Sequence, residues 1–280
     1  MRILGRIALG LAAIILLAVV SLYAVSQWTM RRGHDVRLAD VAIPHDSAAL
    51  AEGARLARIA GCRDCHGPNG GGRVLVKDAM LGTIAAPALA RATAAYSDAE
   101  LVRAIRHGVR KDGSALYVMP TDAHGFLADE DVARIVAWIR SLGPRPDDSL
   151  AVTRAGPLAR ALILAGKIPS SVHPATVSTP GRPADRGRYF VNVICSACHA
   201  LQEPKPAHDG KGMAPALAPV AAAYDPAAFR KLLRTGVGTS GRDLGLMKMI
   251  SVQALQALSD DEIAQIQAYL TAEAAKTPAQ

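Results

Sequence analysis

All four cysteines of the chain fall in two short stretches, "GCRDCHG" at residues 61–67 and "ICSACHA" at 194–200. Each is a Cys-x-x-Cys pair followed directly by a histidine: Cys62, Cys65 and His66, then Cys195, Cys198 and His199. Two thiols at this spacing reach one edge of a porphyrin and add across its two vinyl groups, while the adjoining imidazole is carried under the iron. Other uses of Cys-x-x-Cys fit less well. A zinc site of four cysteines would leave both histidines idle, and thioredoxin-like chemistry wants a βαβ setting that the pattern lacks. The cofactor expected is haem c, two per chain, covalently attached.

The segments that must position these residues repeat as well. "AEGARLARIAGC" precedes the first motif and "ADRGRYFVNVIC" the second, with Arg55 and Arg188 in register. "APAL" follows at 86–89 and again at 214–217, and "LVRAIRHGV" at 101–109 parallels "FRKLLRTGV" at 229–237. "DVARIVAWI" at 131–139 parallels "EIAQIQAYL" at 262–270, with Trp138 matching Tyr269. This last pair has apolar residues at helical spacing and begins after "ADED" and "SDDE", acidic starts that favour a helix N-terminus. Each copy predicts a helix delivering the cysteines, a proline-bearing loop, a second helix, a methionine-bearing loop and a closing helix. The fold class expected is all-α, with tandem haem domains at 46–145 and 184–275. A proline-rich structured linker, 146–183, joins them; in it "PLARALILAGK" reads as a short apolar helix lying along one domain or the membrane surface.

Arg2 and Arg6 precede an uncharged run, Ile7 to Val25. As a helix it spans about 28 Å, close to the hydrocarbon thickness of a bilayer, and it is long for the core of a cleaved signal peptide. Residues 1–30 are expected to anchor the chain in a bacterial inner membrane, with the haem domains in the periplasm. Cleavage at "AVS", residues 24–26, which would release a periplasmic form, is the alternative. Half the residues are apolar but only 4% are aromatic, which suits small helical domains packed around a bulky non-protein group. The net charge of +8 is spread over lysines and arginines without interleaved aromatics, so nucleic acid is not an expected partner.

Each repeat resembles a class I cytochrome c domain, and residues 46–275 together resemble the membrane-anchored dihaem cytochromes c of bacteria. Some of these serve as electron-transfer subunits of periplasmic dehydrogenases. The resemblance implies a close crossing of first and closing helices, with Gly53 or Ala54 against Trp138 and Gly187 against Tyr269. It implies that the carbonyls of Pro87 and Pro215 accept a hydrogen bond from the haem-ligating histidines. It also implies a methionine as second axial ligand, from the loop before the closing helix. In the first domain that is Met119, followed by Pro120; His124 is its rival, and Met80 lies too early.

In the second domain Met247 and Met249 compete. Gly108 to Met119 and Gly236 to Met247 are both eleven residues, whereas counting back from the closing helix places Met249 nearer. An insertion, "SVQALQ", disturbs the second count, so Met247 is the expected ligand. Arg106 and Arg234 read as solvated helix charges or as partners of haem propionates. With both irons closed by His and Met, the implied function is single-electron transfer. The partners would be a donor dehydrogenase or quinol-linked complex and an acceptor cytochrome or oxidase. The competing function is a dihaem enzyme, such as a peroxidase or thiosulfate-oxidising cytochrome, which needs an iron with an open or displaceable ligand.

Overall fold

The computed structural model describes residues 2–173, 179–207, 212–241 and 243–276. It begins with α1 (Arg2–Arg31), whose apolar stretch is unburied and is long and apolar enough to cross a membrane. The first haem-motif region follows from α2 (Ser47–Ile59), which starts where the Asp46 carboxylate accepts a hydrogen bond from the Ala49 amide at 2.8 Å. That contact satisfies one of the donors a helix start leaves open. Next come α3 (Cys62–His66), strands β1 (Arg73–Asp78) and β2 (Gly82–Ala86), and helices α4 (Leu89–Ala92) and α5 (Asp98–His107). α5 opens on a reciprocal Ser97–Glu100 capping pair. α6 (Thr121–His124) and α7 (Asp129–Ser141) complete this half.

α7 lies across α2. A Cβ on Gly53 would sit 1.9 Å from the Arg134 carbonyl oxygen and 3.1 Å from the Trp138 Cβ. Only glycine lets the two backbones come this close, so Gly53, not Ala54, is the small residue of the crossing.

The all-α expectation needs correcting. Between the first motif and "APAL" the chain forms an antiparallel hairpin, β1 with β2, and strand β3 (Arg154–Ala155) pairs with the free edge of β2. The Asp78 carboxylate makes the turn by accepting from the Met80 and Leu81 amides at 2.8 and 2.7 Å. Val74, Val76, Thr83 and Ile84 are β-branched and fit a pleated surface. A loop this long on a small domain must also find partners for its backbone polar groups, and pairing supplies them. In the second copy the proline lies 16 positions after the histidine, where in the first it lies 21. It makes only a short ribbon, described below.

After β3 the chain turns into α8 (Pro157–Leu164), with proline in the first turn. The second half starts at α9 (Arg186–Phe190) and runs through a π-helical turn (Val191–Cys195) into the second motif. The ribbon β4 (Lys205–Pro206) with β5 (Met213–Ala214) follows, then α10 (Leu217–Ala222) and α11 (Pro226–Thr235). The chain continues through α12 (Leu246–Gln253), a 3-10 turn (Leu255–Ala257) and α13 (Asp260–Lys276). α13 crosses α9 as α7 crosses α2: a Cβ on Gly187 would lie 2.1 Å from the Gln265 carbonyl oxygen and 2.7 Å from the Tyr269 Cβ.

The arginines on the second helix of each half behave alike. Arg106 pairs with Asp129 at 2.7 Å and Arg234 with Asp260 at 2.9 Å, each reaching the first residue of a closing helix. Arg106 is 1% exposed, so it is not a solvated helix charge, and both guanidinium groups are engaged at those helix starts.

A chain of charges holds the two halves together. Arg55 on α2 bridges Glu52 at 2.7 Å and Glu262 of α13 at 2.9 Å, and donates to the Ala257 carbonyl. Arg182, from the segment entering the second half, reaches Glu52 at 2.8 Å and the fully buried Asp131 of α7 at 2.6 Å. The Tyr189 hydroxyl of α9 donates to the same Asp131 oxygen at 2.6 Å and accepts from the Ala128 amide at 3.1 Å. Desolvation offsets much of the attraction in such a network, yet losing one member strands the others. Its main effect is to fix how the halves dock.

Candidate functional site

In the first half, Gly61 adopts a left-handed backbone (φ 75°) between α2 and α3, turning the chain so that α3 can present Cys62, Cys65 and His66. The cysteines are not joined in a disulfide. Burial, and then the neighbouring Cys65, pushes the Cys62 thiol up to about 12; it therefore stays a thiol at neutral pH rather than a metal-seeking thiolate. His66 donates from Nδ1 to the Pro87 carbonyl at 2.8 Å. That bond fixes the tautomer and leaves the lone pair on Nε2 to bind a metal. Burial lowers the pKa of this imidazole, with the Pro87 bond acting against it.

The second site reaches the same arrangement by a different backbone route. Ile194 stands where the first copy has Gly61, and a β-branched residue is costly in the left-handed region. Instead of breaking, α9 continues as a π-helical turn, its Ser196 amide bonding the Val191 carbonyl at 3.1 Å. Such turns recur at functional sites. His199 then donates from Nδ1 to the Pro215 carbonyl at 2.8 Å, matching His66 and Pro87. Burial pushes the Cys195 thiol up to about 12 as well.

Among the candidate axial residues, Met119 and Met247 are partly buried and pack against the core. Met249 is 42% exposed, Met80 53% and Met213 57%. His124 is buried and its Nε2 is bonded to the Ala60 carbonyl at 2.9 Å, so that nitrogen is occupied. Val118, directly before Met119, has φ 76° and is the one non-glycine residue with positive φ among the described residues. A β-branched residue there is strained, and such strain gathers where a side chain must be held in place.

Composition and spacing gave no signal for Val118. The sequence offers Asp131 only as part of an acidic helix start; its place on the apolar "DVARIVAWI" helix is a signal that could have found it, and its partners carry none. His208, which the sequence offers only as a surface histidine, lies outside the described residues.

The sites abut. α6, just beyond Met119, packs on the π-helical turn that leads into Cys195. The Cys198 thiol is raised mainly by burial; Lys205 opposes this, and the charge of Asp122 on α6 adds to it. Among the described residues no group of three or more His, Cys, Asp and Glu could hold a metal ion, so the four cysteines do not gather as a zinc cage. Paired free thiols, an imidazole with Nε2 free and an inward thioether fit a covalently tethered haem in each half.

Residues 50–143 match the cytochrome c family, and residues 182–270 match cytochrome c oxidase, cbb3-type, subunit III. The cytochrome c subunit of alcohol dehydrogenase (quinone) from Gluconacetobacter polyoxogenes is 31% identical over 181 residues, 56% of this chain and 38% of that protein. The gluconate 2-dehydrogenase cytochrome c subunit of Pantoea cypripedii is 27% identical over 274 residues, 84% of this chain and 62% of its own. The fructose dehydrogenase cytochrome subunit of Gluconobacter japonicus is 28% identical over 259 residues, covering 81% and 53%. This chain thus spans between 38% and 62% of the length of these relatives. With the repeat, the paired attachment motifs and these likenesses together, the chain is one that carries two cytochrome c domains, and with them two covalent haems c, and it is homologous to the cytochrome c subunits of quinone alcohol, gluconate and fructose dehydrogenases.

Proposed function

We propose that this protein is a membrane-anchored dihaem electron carrier that passes single electrons on the periplasmic side of a bacterial inner membrane. One observation carries the reading. In each half the motif histidine commits Nδ1 to a proline carbonyl at 2.8 Å, and a methionine ahead of the closing helix packs inward. We assign Cys62, Cys65, His66 and Met119 to one haem within residues 46–145. Cys195, Cys198, His199 and Met247 hold the other within residues 184–275. Two features favour Met247 over Met249. It is the less exposed, and the bridges Val109–Ala115 and Val237–Asp243 keep the upstream register of both methionines equal.

When bound, each haem supplies a one-electron iron couple, whose potential a His/Met ligand pair raises. The chain's residues do the rest. The thiols would tether each haem, and the Pro87 and Pro215 carbonyls orient each imidazole and strengthen it as a donor. Met119 and Met247 would each offer a thioether as the second protein ligand to a haem, so that neither haem would keep a free position for a substrate. The docked halves keep the two sites in a fixed relation.

The anchor reading of residues 1–30 gains support from Ser26, which is fully buried beneath Arg160. Cleavage after "AVS" would discard that packed contact. The relatives' names support a dehydrogenase as donor; a quinol-linked complex is the other donor proposed, and the acceptor proposed is a cytochrome or oxidase. Copurification from native membranes identifies both.

The test uses the full-length holoprotein. Two haems should stay with the denatured chain through acid-acetone extraction, and replacing Cys195 and Cys198 by serine should halve the haem content. Both haems should be low-spin in the oxidised, half-reduced and reduced states and bind carbon monoxide slowly or not at all. Rapid turnover of hydrogen peroxide at any stage, the behaviour of a dihaem peroxidase, overturns the proposal.

A further inference from the structure

We infer that α8 is a second membrane contact, an interfacial helix beside the outer end of α1 that ties the first haem domain to the lipid surface. This rests on α1 being a retained anchor. α8 has one charged residue, Arg160, and it points inward. Its guanidinium lies 4.6 Å from the centroid of the Tyr23 ring, donates to Ser26 Oγ at 2.8 Å and to Gln27 Oε1 at 3.1 Å. The ring, hydroxyl and amide satisfy this cation without bulk water. Tyr23 to Gln27 are where the uncharged run of α1 ends. A helix packed there sits at the depth where a spanning helix leaves hydrocarbon for headgroups.

The other face of α8 has no partner among the described residues. At 100° per residue, Leu158, Ala161, Leu164 and Ala165 fall within one arc of about a third of the helix surface. Leu158 is 41% exposed and Leu164 40%, and both alanines are exposed. No charged residue interrupts this arc. Lys167 follows just past the helix end and is exposed, where its stem can carry the ammonium out to the headgroups. Met80, 53% exposed, continues the surface, its carbonyl accepting the Leu158 amide at 3.0 Å.

A bilayer is the occupant these observations favour. The apolar face lies beside α1, which is long and apolar enough to cross a membrane, and an uncharged face with one terminal lysine suits the acyl–headgroup boundary. The contact reaches the first site through paired backbone. β3 leads into α8, β3 is bonded to β2 at Gly82–Ala155 and Thr83–Arg154, and β2 runs into Pro87, whose carbonyl holds His66. The first haem domain, rather than the second, is the one tied to the membrane.

The full-length holoprotein, reconstituted into vesicles of phosphatidylethanolamine and phosphatidylglycerol, is irradiated with a lipid bearing a diazirine on its acyl chain. Labelled peptides are then mapped by mass spectrometry. Label is expected within residues 7–25 and also within 157–165. The double variant Leu158→Glu, Leu164→Glu should lose α8 label by at least about tenfold, with α1 label and haem spectrum unchanged. Label on α1 without label on α8 overturns the inference and assigns the face to a protein partner or a second copy. Undiminished α8 label in the variant overturns it too. Label on neither segment overturns the anchor reading on which it stands.

Discussion

Replacing Tyr189 by phenylalanine tests whether polar groups or apolar packing dock the two haem domains. Tyr189 is 4% exposed, and its ring stands edge-on to Phe190 with centroids 5.4 Å apart. The substitution keeps that packing and removes one oxygen. Two hydrogen bonds go with it, to Asp131 at 2.6 Å and from the Ala128 amide at 3.1 Å. Ala128 is fully buried, and its amide, left without a partner, costs about 1–3 kcal/mol. Asp131 keeps Arg182 and Arg134, so the loss of its third donor adds about 1 kcal/mol. The total of about 2–4 kcal/mol corresponds to a melting point lower by roughly 5–15 °C for a protein of this size.

Calorimetry of the detergent-solubilised holoprotein reads the shift. A cycle with Asp131→Asn isolates the pair, whose coupling should be about 0.5–3 kcal/mol. The haem spectrum should not change, since neither residue touches an assigned ligand. A loss under about 0.5 kcal/mol, or additivity across the cycle, would refute the reasoning and leave apolar contact as what docks the domains.

Met247→Ala should abolish half of the weak near-infrared sulfur-to-iron absorption while Met249→Leu preserves it; the reverse result would move the ligand to Met249. Gly53→Ala and Gly187→Ala each place a methyl group about 2 Å from a carbonyl oxygen. Each should lower stability by the upper end of about 1–3 kcal/mol, read from denaturant midpoints. Glu52 gives a pH signature. Hydrogen bonding to Arg55, with Arg182 helping and burial opposing, holds its carboxyl down at about 2 against an ordinary 4.5. A depressed folded value means the stabilisation is complete above the unfolded value and is lost as pH falls from there towards 2. Glu52→Gln should therefore be less stable than the parent at neutral pH, with the difference shrinking across that acid window.

The attachment chemistry was legible in the sequence because covalent haem attachment demands a fixed local spacing. Cys62-x-x-Cys65-His66 and Cys195-x-x-Cys198-His199 need no distant partner to be recognised. The repeat was legible for a similar reason: capping residues, closing-helix periodicity and "APAL" are local patterns, and the family resemblance they support implied the bonds that His66 and His199 make to Pro87 and Pro215. What the tertiary structure decided depends on residues far apart in the chain. Helical periodicity shows which face of α7 is buried, but not that Asp131 meets Arg182 and Tyr189 from 51 and 58 residues away. It makes Gly53 and Ala54 equal candidates, and only the crossing of α2 by α7 separates them. The hairpin β1–β2 escaped the sequence because its apolar and polar residues do not alternate and its pairing skips between Val74 and Val76, and the third strand, β3, comes from the distant linker. The strain at Val118 and the π-helical turn before Cys195 arise beside residues we assign to the haems, in backbone conformations that local preferences alone would not select.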